Sequence, residues 1–169
     1  MTDTFDPNIP PTGPTSPSIQ GGFVGVVGVT ERPAIGSSNL VINANQPFDI
    51  EVTWHVFGNL VPLWLTALSQ VTKDWVVTAY AESQGPGDEK ILGTVNVPVG
   101  GPTFSLDETY TAKLTVPANT LPEENPGDPT QSGVYKLVVT VFLDSNLGPV
   151  GYDMMGYAEG PIVKVEDPI

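Results

Sequence analysis

The segment from Ser132 to Leu143 constrains the fold more than any other part of the sequence. Nearly all of its residues are β-branched, aromatic or aliphatic, and such residues are typical of β-strands. At a period of two, one face carries Tyr135, Leu137, Val139, Val141 and Leu143, and the other carries Val134, Lys136, Val138, Thr140 and Phe142. Because both faces are largely apolar, we expect a central strand around which the rest of the chain builds a sheet.

The start of this strand resembles the start of strand F in immunoglobulin-like and fibronectin-type-III-like sandwiches. A small polar residue is followed by Gly133, then by Tyr135, and then by Leu137. In those domains the tyrosine forms a corner, in which its hydroxyl reaches back to upstream backbone. Trp54, in the predicted strand 48–57, resembles the core tryptophan of fibronectin-type-III-like domains. The resemblance implies a fold and carries no function with it.

Turn residues separate several further segments with strand character. Alternation is clearest in 48–57, where Phe48, Ile50, Val52, Trp54 and Val56 are predicted to point inward. The other predicted strands are 22–30, 40–43, 75–82, 90–97, 110–116, and a last strand formed by 151–158 and 162–166, broken at Gly160 and Pro161. Residues 60–70 fit a helix or a strand, and we favour a strand or an irregular crossover. About seven or eight strands without an internal repeat predict an all-β, Greek-key, Ig-like β-sandwich.

The beginning of the chain differs from the rest in composition. Residues 1–22 contain five prolines among small polar residues, which favours an extended conformation. Residues 22–30 are apolar, but their glycines weaken a strand. We therefore expect an extended Pro-rich N-terminal arm with a strand in 1–30, followed by the sandwich domain in 31–169.

Composition and charge exclude several classes of function. The chain has no cysteine, which excludes disulfides and thiol chemistry. Nineteen acidic against six basic residues give a net charge of −13, which disfavours binding to nucleic acid or to anionic lipid. We find neither a long apolar run nor a basic, apolar leader at Met1–Asp6, so membrane insertion is not expected. An extracellular assembly or a virus particle is favoured over a plain cytoplasmic location.

Candidate catalytic residues are few. His55 is the single histidine, and it lies on the outward row of the predicted strand 48–57, where a surface role is favoured over general-base catalysis. Four carboxylates near predicted strand ends could in principle pair for glycoside hydrolysis, although solvated rim positions are the simpler interpretation. These are Glu82, Glu108, Asp153 and Glu159. We expect no catalytic residues and no cofactor, with a hydrolase as the least favoured function.

A structural calcium ion is the metal site that the sequence best supports. Calcium takes six to eight oxygen ligands, and loops at one end of a sandwich can converge to supply them. Asp144 and Asn146 follow the central strand, and Asn59 follows the strand 48–57 at the same predicted end. The same residues are also typical of solvated turns.

The functional hypothesis rests on the arm. Phe23, Val27 and Val29 are separated by even steps, so they can lie on one face and enter a groove on another subunit by strand addition. Alternatively, 22–30 pairs within its own domain as a first strand. We expect a non-enzymatic structural or self-assembly module, joined through its arm and sheet edges to copies of itself or to a larger protein assembly.

A carbohydrate-binding or adhesion module is the alternative hypothesis. It would use exposed aromatic residues such as Trp64, Tyr80 and Tyr157 as stacking platforms. The cluster Met154-Met155-Gly156-Tyr157 suits either an irregular core or a contact surface. The sequence leaves both alternatives open.

Overall fold

Strands dominate the computed structural model, which describes residues 3–7, 19–32, 40–87, 89–146 and 152–167. Two mainly antiparallel sheets form an all-β sandwich, which confirms the predicted all-β sandwich, while its Greek-key, Ig-like topology stays a prediction. In chain order the elements are β1 Asp3–Pro7, β2 Gln20–Phe23, β3 Gly28–Glu31, β4 Val41–Asn43, β5 Phe48–Phe57, α1 Val61–Gln70, β6 Asp74–Ser83, β7 Lys90–Pro98, β8 Asp107–Val116, β9 Val134–Leu143 and β10 Met154–Glu166.

The larger sheet, sheet A, has the order β1, β10, β9, β6, β7. Strand β9, the predicted central strand, lies between β10 and β6 and pairs antiparallel with both. Strand β1 pairs with the first half of β10, and β4 pairs parallel with its last residues. Strand β10 runs through Gly160 and Pro161 with a register shift between Glu159 and Ile162, so the predicted interruption is a local irregularity within one strand.

The smaller sheet, sheet B, is arranged around β5. Strand β8 pairs with one side of β5, while β2 and β3 pair with opposite ends of its other side. Strand β5 has the predicted bounds 48–57. Its side chains alternate between the apolar core and the outer face of sheet B over this whole range.

The core lies between the inner faces of the two sheets. Its centre is a group of aromatic rings, in which Trp54 meets Trp75 edge-on and stacks on Tyr110, with 5.7 Å between ring centroids in each pair. Helix α1 covers one end of this group, with Trp64 edge-on to Trp75 at 6.4 Å.

The prediction of a strand or irregular crossover in 60–70 is wrong, because α1 occupies this segment. Its buried residues are Val61, Trp64, Leu65 and Leu68, a helical spacing that gives one apolar face. Pro62 lies in the first turn, where a missing backbone N–H breaks no helical hydrogen bond.

The tyrosine corner is present. The Tyr135 hydroxyl donates a hydrogen bond to the carbonyl oxygen of Pro122 at 3.0 Å, in the connection upstream of β9, as expected for such a corner. This contact ties the connection between β8 and β9 to the central strand.

The first thirty residues contribute strands to both sheets. Strand β1 was not predicted, because five prolines in residues 1–22 favour an extended arm, and a sequence does not reveal that a distant edge such as that of β10 accepts part of it. The segment 22–30 follows the self-paired alternative, since β2 and β3 both pair with β5 of the same chain. The division into 1–30 and 31–169 stays a prediction.

Within the residues that the structure describes, no helix combines the length and the apolar character needed to cross a membrane.

Candidate binding face

The outer surface of sheet A carries a continuous row of apolar side chains. Val76 on β6 lies opposite Phe142 on β9, and Phe142 lies opposite Met155 on β10. Together with other outward apolar residues they form what we call the apolar face: Val76, Tyr80, Ile91, Val138, Phe142, Met155, Tyr157 and Ile162. Between the row of Val76 and the row of Tyr80 lies a row of threonines, Thr94, Thr78 and Thr140, in which Thr78 and Thr94 hydrogen bond at 3.0 Å.

Several of these side chains are open to solvent. Relative exposure is 39% for Phe142, 46% for Met155, 53% for Ile162 and 67% for Ile91. A second row crosses the sheet from Ile91 through Tyr80 to Val138. An exposed apolar surface of this kind is unfavourable in water unless a partner covers it.

The outer surface of sheet B provides an internal comparison, because its outward residues are mostly polar. We call it the polar face: Asp49, Glu51, Thr53, His55 and Phe57 on β5, with Asp107, Thr109, Thr111, Lys113 and Thr115 on β8. Thr53 and Thr111 hydrogen bond to each other at 3.0 Å, and His55 Nδ1 lies 2.9 Å from Asp107 Oδ1. The exposed apolar rows of sheet A are therefore not a general property of this sandwich.

Charges on and around the apolar face are mainly negative. The Lys136 ammonium lies 2.6 Å from a carboxylate oxygen of Glu159, and this hydrogen bond is the main reason that the pKa of Lys136 is raised. Lys164 is likewise paired with Glu124 at 2.7 Å. Exposed Glu82 lies opposite Lys136. Both lysines are therefore paired with carboxylates, and the residues around the apolar face carry more negative than positive charge.

One charge on the polar face is buried. The side chain of Asp49 is 6% exposed and accepts hydrogen bonds from Arg32 Nε at 2.7 Å and from Thr115 Oγ1 at 2.8 Å, with Lys113 Nζ at 3.1 Å. Burial raises the pKa of Asp49, but the hydrogen bonds from Arg32, Thr115 and Lys113 outweigh burial and hold that pKa below its usual range. Asp49 therefore stabilises the fold in its ionised form.

We predict that Asp49→Asn lowers the free energy of unfolding near neutral pH by about 1–3 kcal/mol, because it leaves two cations without their carboxylate. A group whose folded pKa is lowered contributes stability above its unfolded value of about 3.9 and loses it as pH falls through the folded value. The difference between wild type and variant should therefore shrink below about pH 4. Urea denaturation across this range measures it.

Asp107→Asn is the control, because Asp107 is exposed and such surface pairs contribute about 0.2–1 kcal/mol. Equal losses for the two variants, or a pH-independent loss for Asp49→Asn, would contradict the role assigned to Asp49.

The residues predicted to bind calcium are brought together only in part. The backbone N–H and the side-chain amide of Asn146 donate to the two carboxylate oxygens of Asp144, at 3.2 and 3.1 Å. Asn59 lies in the turn between β5 and α1. In the described ranges, no three His, Cys, Asp or Glu residues are placed to hold a metal ion, and the calcium site stays a prediction.

The residues predicted to form an intersubunit contact lie within the fold of their own chain. Val27 and Val29 are buried in the core, at 4% and 0% exposure. The Phe23 ring packs against Phe5, with 4.7 Å between centroids. Burial of the two valines thus needs no second copy.

The structure brings only some of the other candidate residues together. Trp64 is buried, and its Nε1 donates to the carbonyl oxygen of Tyr152 at 3.2 Å, so it offers no stacking platform. Glu82 and Glu159 lie on either side of Lys136, and Glu108 lies on sheet B. Asp153 accepts hydrogen bonds from Ser145 and closes the turn after β9.

The cluster around Met154 combines both of its predicted alternatives. Met154 is buried in the core, whereas Met155 points outward and Tyr157 is half-buried on the same side. The alternation of β10 divides the cluster between core and surface.

Sequence reasoning named parts of the apolar face but did not combine them into one surface. Tyr80 and Tyr157 were considered as exposed aromatic residues and Met155 as part of a core or contact cluster, whereas Val138 and Phe142 were assigned only to the second face of 132–143. A sequence does not show whether a second layer covers a sheet, so the same residues are compatible with burial or with exposure.

No protein-family model and no curated protein matches this sequence. A solved structure similar to this chain is the superoxide reductase (neelaredoxin) from Ignicoccus hospitalis, with 16% sequence identity, 84% of this chain and 81% of that chain covered, and a TM-score of 0.34. That neighbour is an enzyme, and the comparison contradicts the prediction of a non-enzymatic structural or self-assembly module. At this level of similarity the neighbour assigns no reaction, metal or substrate to the chain.

Proposed function

We propose that this chain binds a partner protein through the apolar face of sheet A. The observation that carries the proposal is the row formed by half-buried Val76 with exposed Phe142 and Met155, set against the polar face on the opposite sheet. Interface centres are enriched in aromatic residues and methionine, and Met155 can adapt its side chain to an irregular surface.

The charge of the chain favours a basic partner. The net charge is −13, and the two lysines next to the apolar face are paired with Glu159 and Glu124. A basic surface would be steered toward this face, whereas a second copy would be repelled by like charge. We therefore infer a partner with an apolar patch bordered by lysine or arginine.

The single histidine takes no part in the proposed binding. His55 is held by Asp107 on the polar face, on the sheet opposite the exposed apolar row. Binding by the apolar face needs no proton transfer, metal or cofactor.

The fold class proposed for this module is the immunoglobulin-like or fibronectin-type-III-like sandwich. Strand β5 pairs with β8 in one sheet, and β6 pairs with β9 in the other. The tyrosine corner at Tyr135 and the buried Trp54 support the same assignment.

Photo-crosslinking tests the binding face and identifies the partner. In cells of the source organism, one variant of the chain carries a photoreactive phenylalanine analogue at position 142. A second variant of the same chain carries it at position 111 on the polar face. We expect a basic protein to be crosslinked from position 142 and not from position 111.

Binding of that purified partner is then measured by calorimetry. We predict that Phe142→Asp weakens its affinity at least tenfold, or about 1.4 kcal/mol, whereas Thr111→Asp leaves it unchanged. Identical crosslinks from the two positions, or wild-type affinity for Phe142→Asp, would overturn the proposal. Because Phe142 is exposed, a thermal melt should show that the variant stays folded.

A further inference from the structure

Strand β1 lies at the edge of sheet A and also contacts sheet B. It pairs antiparallel with the first half of β10, with Phe5 opposite Gly156. The ring of Phe5 also reaches Gly21 on β2, which belongs to the other sheet. A five-residue strand thus covers the opening between the two layers.

Two glycines make the space for this ring. A Cβ atom on Gly156 would lie 2.6 Å from the Phe5 Cζ atom, and one on Gly21 would overlap the ring even more closely. Phe23 forms a further wall, with its ring centroid 4.7 Å from that of Phe5. We call the space between Gly21, Phe23 and Gly156 the aromatic slot.

The slot receives an aromatic ring from an extended strand, whose main chain pairs with β10. This combination of edge pairing and a side-chain pocket is how extended peptides bind to sheet edges. Main-chain hydrogen bonds supply affinity, and the slot supplies specificity for an aromatic residue.

The segment that fills the slot is itself acidic. Strand β1 carries Asp3 and Asp6 on either side of Phe5, in a chain whose net charge is already −13. A strand with basic residues at those two positions would keep the ring and the main-chain pairing while reducing like-charge repulsion.

We propose that the β10 edge and the aromatic slot form a peptide-binding groove that β1 occupies in cis. Its partner is an extended segment of another polypeptide, with an aromatic residue at the position of Phe5 and basic residues beside it. This groove goes beyond the apolar face, because it binds one strand at an edge and takes its specificity from Gly21, Phe23 and Gly156, which lie outside the apolar face.

Fluorescence anisotropy with a labelled peptide tests the groove in the full-length chain. The probe has the sequence of residues 2–8 with lysine in place of Asp3 and Asp6. Phe5→Ala removes the ring that anchors β1, so the probe can displace β1 from the β10 edge, and this variant should bind the probe at least tenfold more tightly than wild type does. The same peptide with alanine at the Phe5 position has identical charge and should not bind the variant.

A second substitution fills the slot with a methyl group from β10. Gly156→Ala, combined with Phe5→Ala, should abolish probe binding, whereas Gly28→Ala in the same background should not, because a Cβ there has room, with its nearest contact at 3.9 Å. Thermal melts of the three variants establish that each is folded.

Several results would overturn the proposal. Equal binding of the aromatic and alanine peptides would indicate charge attraction alone. Equal affinity for wild type and Phe5→Ala, or no binding to either, would show that the slot is not a peptide site. Tighter binding of the unmodified acidic peptide would identify a second copy of this chain as the occupant instead.

Discussion

Replacement of Trp54 by alanine should lower the free energy of unfolding by about 3–5 kcal/mol. Trp54 is fully buried on β5, between the edge of Trp75 and the plane of Tyr110. Alanine would leave a cavity that the rings of Trp75, Tyr110 and Trp64 cannot close, because β6, β8 and α1 fix the positions of these rings. The loss would be a large part of the stability of a typical domain, which is about 5–15 kcal/mol.

Trp54→Phe distinguishes the effect of the indole N–H from the effect of the buried ring volume. No acceptor in the described part of the chain reaches Trp54 Nε1, and a buried donor without an acceptor is destabilising. Phenylalanine removes that N–H and keeps part of the volume, so its effect should be less than half that of alanine. Guanidinium denaturation measures both variants, and a loss below about 1 kcal/mol for alanine would mean that the site is not close-packed.

The strands at the centres of the two sheets were predictable from sequence because local and tertiary requirements agree there. β5 alternates between the core and the outer face of sheet B along its whole length, so its bounds 48–57 follow from period two alone. β9 is apolar on both sides, and its central position follows from the same reasoning. Tyr135 could be identified as a corner residue because its motif is local.

Elements that depend on distant parts of the chain were not predictable in the same way. The apolar spacing of 60–70 fits a helix and a strand, and only its packing against Trp75 resolves the ambiguity. Strand β1 forms because the edge of β10 is available to it, and nothing in a Pro-rich sequence encodes that edge.

Candidate site residues were even less predictable, because exposure is a property of the assembled layers. Phe23, Val27 and Val29 have the spacing of a groove-binding strand, yet the two valines are buried in the core of their own chain. Phe142 was assigned only to one face of the central strand, and Met155 to a cluster that suited either core or surface, yet they lie side by side on the apolar face. Periodicity identifies which residues share a face, and the fold determines what that face meets.

Replacement of Gly133 by alanine should lower the free energy of unfolding by about 2–5 kcal/mol, from two separate causes. Gly133 has a φ of +65°, and an L-residue in this left-handed region is destabilised by about 1–2 kcal/mol. Its Cβ would also overlap the backbone nitrogen of Glu124 and lie 3.1 Å from the carbonyl carbon of Glu123. Overpacking against atoms that cannot rotate away typically adds about 1–3 kcal/mol.

The close approach at Gly133 also sets the geometry of the tyrosine corner. The Tyr135 hydroxyl holds Pro122, one residue before Glu123, so a shift of this connection to relieve the alanine clash would break the hydrogen bond. Tyr135→Phe isolates that bond and should lower the free energy of unfolding by about 1 kcal/mol. If the alanine clash is relieved by such a shift, the double variant should lose less than the sum of the two single losses, because the first substitution has already broken the bond. Urea denaturation of the three variants decides the point, and a Gly133→Ala protein as stable as wild type would mean that the connection does not cross β9 at this distance.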